Sequence, residues 1–95
     1  MKKVVLITGG TSGIGRAICN VLRSRGHTVY GTGRSISTGH QLDGYTLVQM
    51  DTNLDASVVA AIEWILARED KIDVLVNNAG KGMAGAIEDS SVNEI

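Results

Sequence analysis

The stretch Val5–Gly15, VLITGGTSGIG, sets four glycines within seven residues directly after an apolar run. Glycine loses more backbone freedom on ordering than any other residue. A plain strand-to-helix turn is served by one or two glycines. Four of them point to a backbone that must turn tightly and also come close to a ligand.

The pattern around the glycines supports this. Val4–Ile7 is a short β-branched and leucine run, which reads as a strand buried on both faces. From Ile14 the period changes: Ile14, Ala17, Ile18, Val21 and Leu22 recur at helical spacing, and Gly26 is a natural stop. Thr28–Thr32 reads as a second strand and Tyr45–Met50 as a third, with a polar loop over Ser35–Gly44 between them. Asp55–Ala67 reads as a helix with Val58, Ile62, Ile65 and Leu66 on one side, and Ile72–Val76 as a fourth strand. Ser91-Val-Asn-Glu94 fits a capping box, so a further helix is expected from about Val92. The sequence stops at Ile95, which reads as a chain cut inside an element.

Strands alternating with helices imply an α/β fold with a parallel sheet and right-handed crossovers. The expected strand order is 3-2-1-4, half of a doubly wound sheet. In that order the crossovers from the first and fourth strands leave in opposite directions. Ligands bind at the carboxyl ends of the strands at such a point, and the glycines follow the first strand.

A phosphate group needs donors close by, without side chains in the way. Gly9 is expected to make the turn, Gly13 to give backbone access, and Gly15 to let the helix pack against the sheet. Thr11 and Ser12 add hydroxyl donors. The helix beyond contributes free N–H groups and the positive end of its dipole. No Lys-Ser/Thr pair follows, so this is not a P-loop. A literal Gly-x-Gly-x-x-Gly does occur, as Gly80-Lys-Gly82-Met-Ala-Gly85. Its helix signal is delayed to Ser91, so it reads as a crevice loop rather than as the dinucleotide fingerprint.

Composition narrows the function classes. The 95 residues suit one small domain, and 43% apolar with 20% charged residues is globular composition. Net charge is −1 and the basic residues are scattered, so neither a nucleic-acid nor a membrane partner is expected. The apolar run after Lys2 and Lys3 is too short for a signal peptide. Cys19 is the single cysteine, so no internal disulfide can form. A cytoplasmic setting is expected.

Taken together, Thr8-Gly9-Gly10-Thr11-Ser12-Gly13-Ile14-Gly15, Asp51 after the third strand, and Asn77-Asn78-Ala79-Gly80 after the fourth resemble the short-chain dehydrogenases/reductases, in their single-domain branch. Three motifs match in order, over the whole chain but only the first part of the family's length. The resemblance implies an incomplete NAD(P)-binding Rossmann domain over residues 1–95. It implies cofactor contacts from Gly9, Thr11, Ser12, Gly13, Ile14, Gly15, Arg34, Ser35, Asp51, Thr52, Asn78, Ala79 and Gly80. Asp51 is expected to accept from the adenine amino group, and Asn77 and Asn78 to steady the sheet beside the cofactor.

An NAD site places an acid about 20 residues beyond the glycines, on the adenosine ribose. Here that region reads Gly31-Thr-Gly33-Arg34-Ser35, with no carboxylate. A guanidinium pairs with a 2′-phosphate where a carboxylate would repel it. NADP(H) is therefore expected in preference to NAD(H), with NAD(H) still possible.

Family catalysis implies a Tyr-x-x-x-Lys pair. Four residues after Tyr30 and Tyr45 stand Arg34 and Gln49, so no catalytic residue is assigned. Cys19 reads as a buried small hydrophobe and Trp64 as partial core; His27 and His40 lack metal-ligand spacing. The leading expectation is the N-terminal cofactor-binding portion of an NADP(H)-dependent oxidoreductase. The small-molecule substrate and the subunit contacts of a homo-oligomer would belong to the complete chain. The alternative is a free-standing, non-catalytic dinucleotide-binding module.

Overall fold

The computed structural model describes residues 1–78. Along the chain run β1 (Val4–Ile7), α1 (Gly13–Ser24), β2 (Thr28–Gly33), β3 (Gln41–Leu42), β4 (Tyr45–Gln49), α2 (Asp55–Glu69) and β5 (Val74–Val76). One sheet holds all five strands in the order β3-β4-β2-β1-β5. The β2–β4, β1–β2 and β1–β5 pairs are parallel, so the four longer strands take the expected 3-2-1-4 order.

Every residue of β1 is buried, and its side chains alternate between two cores. Val4 and Leu6 join Tyr30, Val48, Met50 and Leu75 beneath Val58, Ala61 and Ile65 of α2. Val5 and Ile7 join Val29, Tyr45, Leu47 and Val76 beneath Cys19 of α1. The helices therefore cover opposite faces, and β1 lies between crossovers that diverge. Trp64 packs at the edge of the α2 core, edge-on to Tyr30 with ring centroids 6.2 Å apart.

α1 ends as its sequence predicts. Gly26 takes φ +91°, its N–H donates to Arg23 O, and the N–H of His27 donates to Leu22 O, the pairing of a Schellman motif. At the opposite end of the sheet from the glycines, Asp73 joins β5 to β1. Its Oδ2 accepts from Val4 N at 2.7 Å and its own N–H donates to Val4 O at 2.8 Å.

Three expectations are corrected. Ser35–Gly44 is not all loop, because Gln41–Leu42 pairs antiparallel with Tyr45 and Thr46 across an Asp43-Gly44 turn. Both turn residues have positive φ, 54° and 92°, as a tight hairpin requires. The contact face of α1 is also displaced by about one position. Gly15 and Cys19 are buried and Ile18 and Leu22 pack beside them, whereas Ile14 is 73% and Val21 50% exposed. The backbone contact at Gly15 fixes this face, so part of the periodic apolar set lies outside it. On α2, likewise, Leu66 is exposed while Ala61 is buried.

Candidate functional site

The glycine-rich turn between β1 and α1 is held by polar contacts from several directions. Gly9 has φ +71°. Its N–H donates to the buried Thr32 Oγ1 at 3.2 Å, and its carbonyl accepts from Asn78 Nδ2 at 3.2 Å. The Gly10 N–H donates to Thr32 O at 2.9 Å, and the Gly10 carbonyl accepts from the Tyr45 hydroxyl at 2.5 Å. Just before the turn, Thr8 N–H donates to Val76 O at 3.0 Å and Thr8 Oγ1 to Asn77 Oδ1 at 3.3 Å. Strands β2, β4 and β5 thus all grip one turn.

Two of the glycines are required for different reasons. Gly13 has φ +60°, and a Cβ there would face open space. Gly15 has no room for a Cβ, which would run into the Gly9 carbonyl and the Asn78 amide. The close approach is therefore between helix and turn, rather than helix and sheet. Ser12, the residue before the helix, is extended and makes no side-chain cap, and the first turn of α1 carries no acidic residue. First-turn N–H groups with no carboxylate beside them suit an anion.

Beside the turn lies a cleft of about 410 Å³. Gly9 and Thr11 form one wall, Thr32, Gly33 and Arg34 a second, and Met50, Thr52 and Asn53 a third. Among the described residues no carboxylate lines it. Arg34 is exposed at the end of β2 and forms no ion pair among the described residues. The Gln49 amide donates to its carbonyl oxygen at 3.1 Å, which ties this stretch to β4. The donors of the turn and the helix start fit the phosphates of a dinucleotide.

The residues singled out from sequence do not all converge. Gly9, Thr11, Arg34 and Thr52 line the cleft, whereas Ser12, Gly13 and Ile14 lie at the exposed start of α1. Ser35 is exposed just past Arg34, outside the lining. Asp51 is not among the lining residues: its Oδ1 accepts from Asn53 N at 2.9 Å and its N–H donates to Ser57 Oγ at 2.8 Å. Asn78 buttresses the turn through Gly9. Ala79, Gly80, the Gly80–Gly85 glycine run and the Ser91–Glu94 capping box lie outside the described residues. Sequence reasoning missed Thr32, Met50, Asn53 and Tyr45. A threonine among apolar strand residues was the signal for Thr32; nothing in the sequence pairs Tyr45 with a glycine carbonyl.

Burial pushes the Cys19 thiol up to about 11, so it stays protonated and unreactive near neutral pH. Among the described residues no cluster of His, Cys, Asp or Glu could hold a metal ion, and no helix is long and apolar enough to cross a membrane.

The family model for short chain dehydrogenase matches residues 3–95. This chain belongs to that family. A 3-ketodihydrosphingosine reductase of Bacteroides thetaiotaomicron is 37% identical over 93 residues, spanning 98% of this chain and 34% of the relative. The ligand-free aldohexose dehydrogenase of Thermoplasma acidophilum superposes with a TM-score of 0.72 at 37% identity, over 83% of this chain and 30% of that one. A 3-ketoacyl-(acyl-carrier-protein) reductase of Brucella melitensis, complexed with NADH, gives 0.69 at 33% identity, over 78% and 32%. The short-chain dehydrogenase chain described here spans about a third of these proteins' lengths. As a member of this oxidoreductase family it has a Rossmann-type NAD(P)-binding fold.

Proposed function

We propose that this chain is the NADP(H)-binding portion of a short-chain oxidoreductase that interconverts a carbonyl and an alcohol. The observation that carries the NADP(H) preference is Arg34, exposed at a cleft that no carboxylate lines among the described residues. The glycine turn and the start of α1 would hold the pyrophosphate, and Arg34 the 2′-phosphate. Bound there, the nicotinamide supplies or takes up hydride. The chain's own residues bind and orient the cofactor. Proton transfer to the substrate falls to the Tyr-x-x-x-Lys pair, which this sequence lacks, so the chain by itself is proposed to bind cofactor without turning over substrate.

Calorimetric titration of NADP⁺ and NAD⁺ tests this at fixed salt. A charge-assisted hydrogen bond contributes about 1.5–3 kcal/mol, roughly 10- to 150-fold in affinity. At an exposed rim, screening puts Arg34 near the low end. Arg34→Ala is expected to weaken NADP⁺ about 10-fold and leave NAD⁺ nearly unchanged. Gly33→Asp is expected to reverse the preference. An added Cβ there comes 2.9 Å from the Thr11 methyl, so Thr11 must shift to admit it. Equal losses for both cofactors in Arg34→Ala would show that Arg34 supports the loop instead of reading the phosphate.

A further inference from the structure

We propose that Tyr45 is a positioning residue for the cofactor's pyrophosphate, acting through the Gly10–Thr11 peptide; this rests on the cofactor reading above.

A trans peptide is planar, so its C=O and N–H point in opposite directions. The Gly10 carbonyl points into the α1-side core, where it accepts from the buried Tyr45 hydroxyl at 2.5 Å. The Thr11 N–H of the same peptide must therefore point the other way. Thr11 lines the cleft, and its N–H donates to no described residue. The preceding peptide obeys the same rule with both ends satisfied: Asn78 holds the Gly9 carbonyl, and the Gly10 N–H opposite it donates to Thr32 O. Of these two successive peptides, one is closed on protein at both ends. The other is closed at the Tyr45 end, and its N–H end has no acceptor among the described residues.

Tyr45 is placed to hold that orientation firmly. It is 1% exposed at the first position of β4, immediately after the Asp43-Gly44 turn. That turn is itself gripped by α1: Arg16 Nε and Nη2 donate to Asp43 at 2.8 and 3.2 Å, and Asn20 Nδ2 at 3.2 Å. Gly10 has little freedom to shift. A Cβ on it would lie 2.8 Å from Gly31 Cα and 3.0 Å from Cys19 Sγ. The bland reading of Tyr45 is a core aromatic whose hydroxyl needs some acceptor. The acceptor it takes, however, is the carbonyl of the one peptide whose N–H, on a residue that lines the cleft, has no acceptor among the described residues.

The test compares NADP⁺ with 2′-AMP, which keeps the 2′-phosphate and adenosine but has no pyrophosphate. In Tyr45→Phe, affinity for NADP⁺ is expected to fall about 3- to 10-fold and affinity for 2′-AMP by less than about 2-fold. In the wild-type chain, the Tyr45 ¹³Cζ resonance is expected to move with NADP⁺ and stay fixed with 2′-AMP. Tyr30, on the opposite face of the sheet, serves as the internal reference. Equal losses for both probes, no loss for either, or a Tyr45 resonance indifferent to NADP⁺ overturns the proposal. The wild-type resonance decides the matter even where Tyr45→Phe does not fold. A wild-type chain that binds neither probe overturns the cofactor reading itself, and this inference with it.

Discussion

Gly13 and Gly15 stand two residues apart and are irreplaceable for unrelated reasons. At Gly13 the obstacle is conformation, since φ is +60° and the space outside is open. At Gly15 it is space, since an added Cβ runs into the Gly9 carbonyl. A non-glycine residue in the left-handed region costs about 1–2 kcal/mol. Overpacking against backbone costs about 1–3 kcal/mol or more, because backbone cannot swing aside as a side chain does. Gly15→Ala is therefore expected to lower the denaturation midpoint more than Gly13→Ala, and to displace Gly9 and the cleft wall with it. Equal midpoints would mean that the helix start yields freely. Glycine spacing marked Gly15 for a close approach, but it pointed to backbone access at Gly13 and not to the left-handed conformation found there. The partner of Gly15 was not legible, because spacing along a chain does not reveal which backbone crosses in front of it.

At the scale of elements, most of the sheet could be read from the sequence because its strands are short apolar runs between turn residues. The exception is instructive. Asp43-Gly44 is a strong hairpin signal, but the arm before it, Gln41–Leu42, is two residues long and follows a polar stretch. Periodicity needs several residues to register, so the arm reads as loop. The hairpin persists because α1 holds its tip: Arg16 and Asn20 bind Asp43, and the Arg23 guanidinium lies across Gly44. The face of α1 was misread for a related reason. Apolar residues cover more of the helix than the sheet can bury, and the Gly15 contact selects which part is used. Gly44→Ala places a side chain at φ +92° and against Arg23. The expected cost is about 1 kcal/mol or more. Because Tyr45 follows directly, the expected signature is loss of hydrogen-exchange protection at Gly10 as well as in the hairpin. A change confined to the hairpin would show that the two are uncoupled.

For the whole molecule, titration limits stability at both ends of the pH scale. Asp43 is held below the usual carboxylate range by Arg16 and Asn20, and Asp73 by the Val4 N–H and then Lys71. Their folded pKa values are lowered, so their stabilisation is complete above the ordinary aspartate value of about 4. It is lost as pH falls through that value toward the lowered ones. At the alkaline end, burial raises the Cys19 thiol from 9.0 to about 11 and the Tyr45 hydroxyl from 10.0 to about 12. Both groups are neutral when folded, so stability is complete below pH 9 and declines as pH rises through these values. Thermal melts from pH 2 to 11 are expected to show both limbs. Asp73→Asn should flatten the acid limb and Cys19→Ala the alkaline one. An acid limb of unchanged slope in Asp73→Asn would locate the sensitive carboxylate elsewhere. The order of the sheet has a further consequence, for how it can grow. A sheet edge is a template, and whatever backbone it exposes invites the next strand. On one side β3 is two residues long, antiparallel and pinned by its turn to α1, which leaves little backbone to copy. On the other side β5 carries the buried Leu75 and Val76 and pairs, among the described residues, with β1 alone. Among the described strands the sheet thus has a direction of extension: a newly arriving strand is turned away at the hairpin and admitted beside β5, across β1 from the cleft that β2 and β4 line.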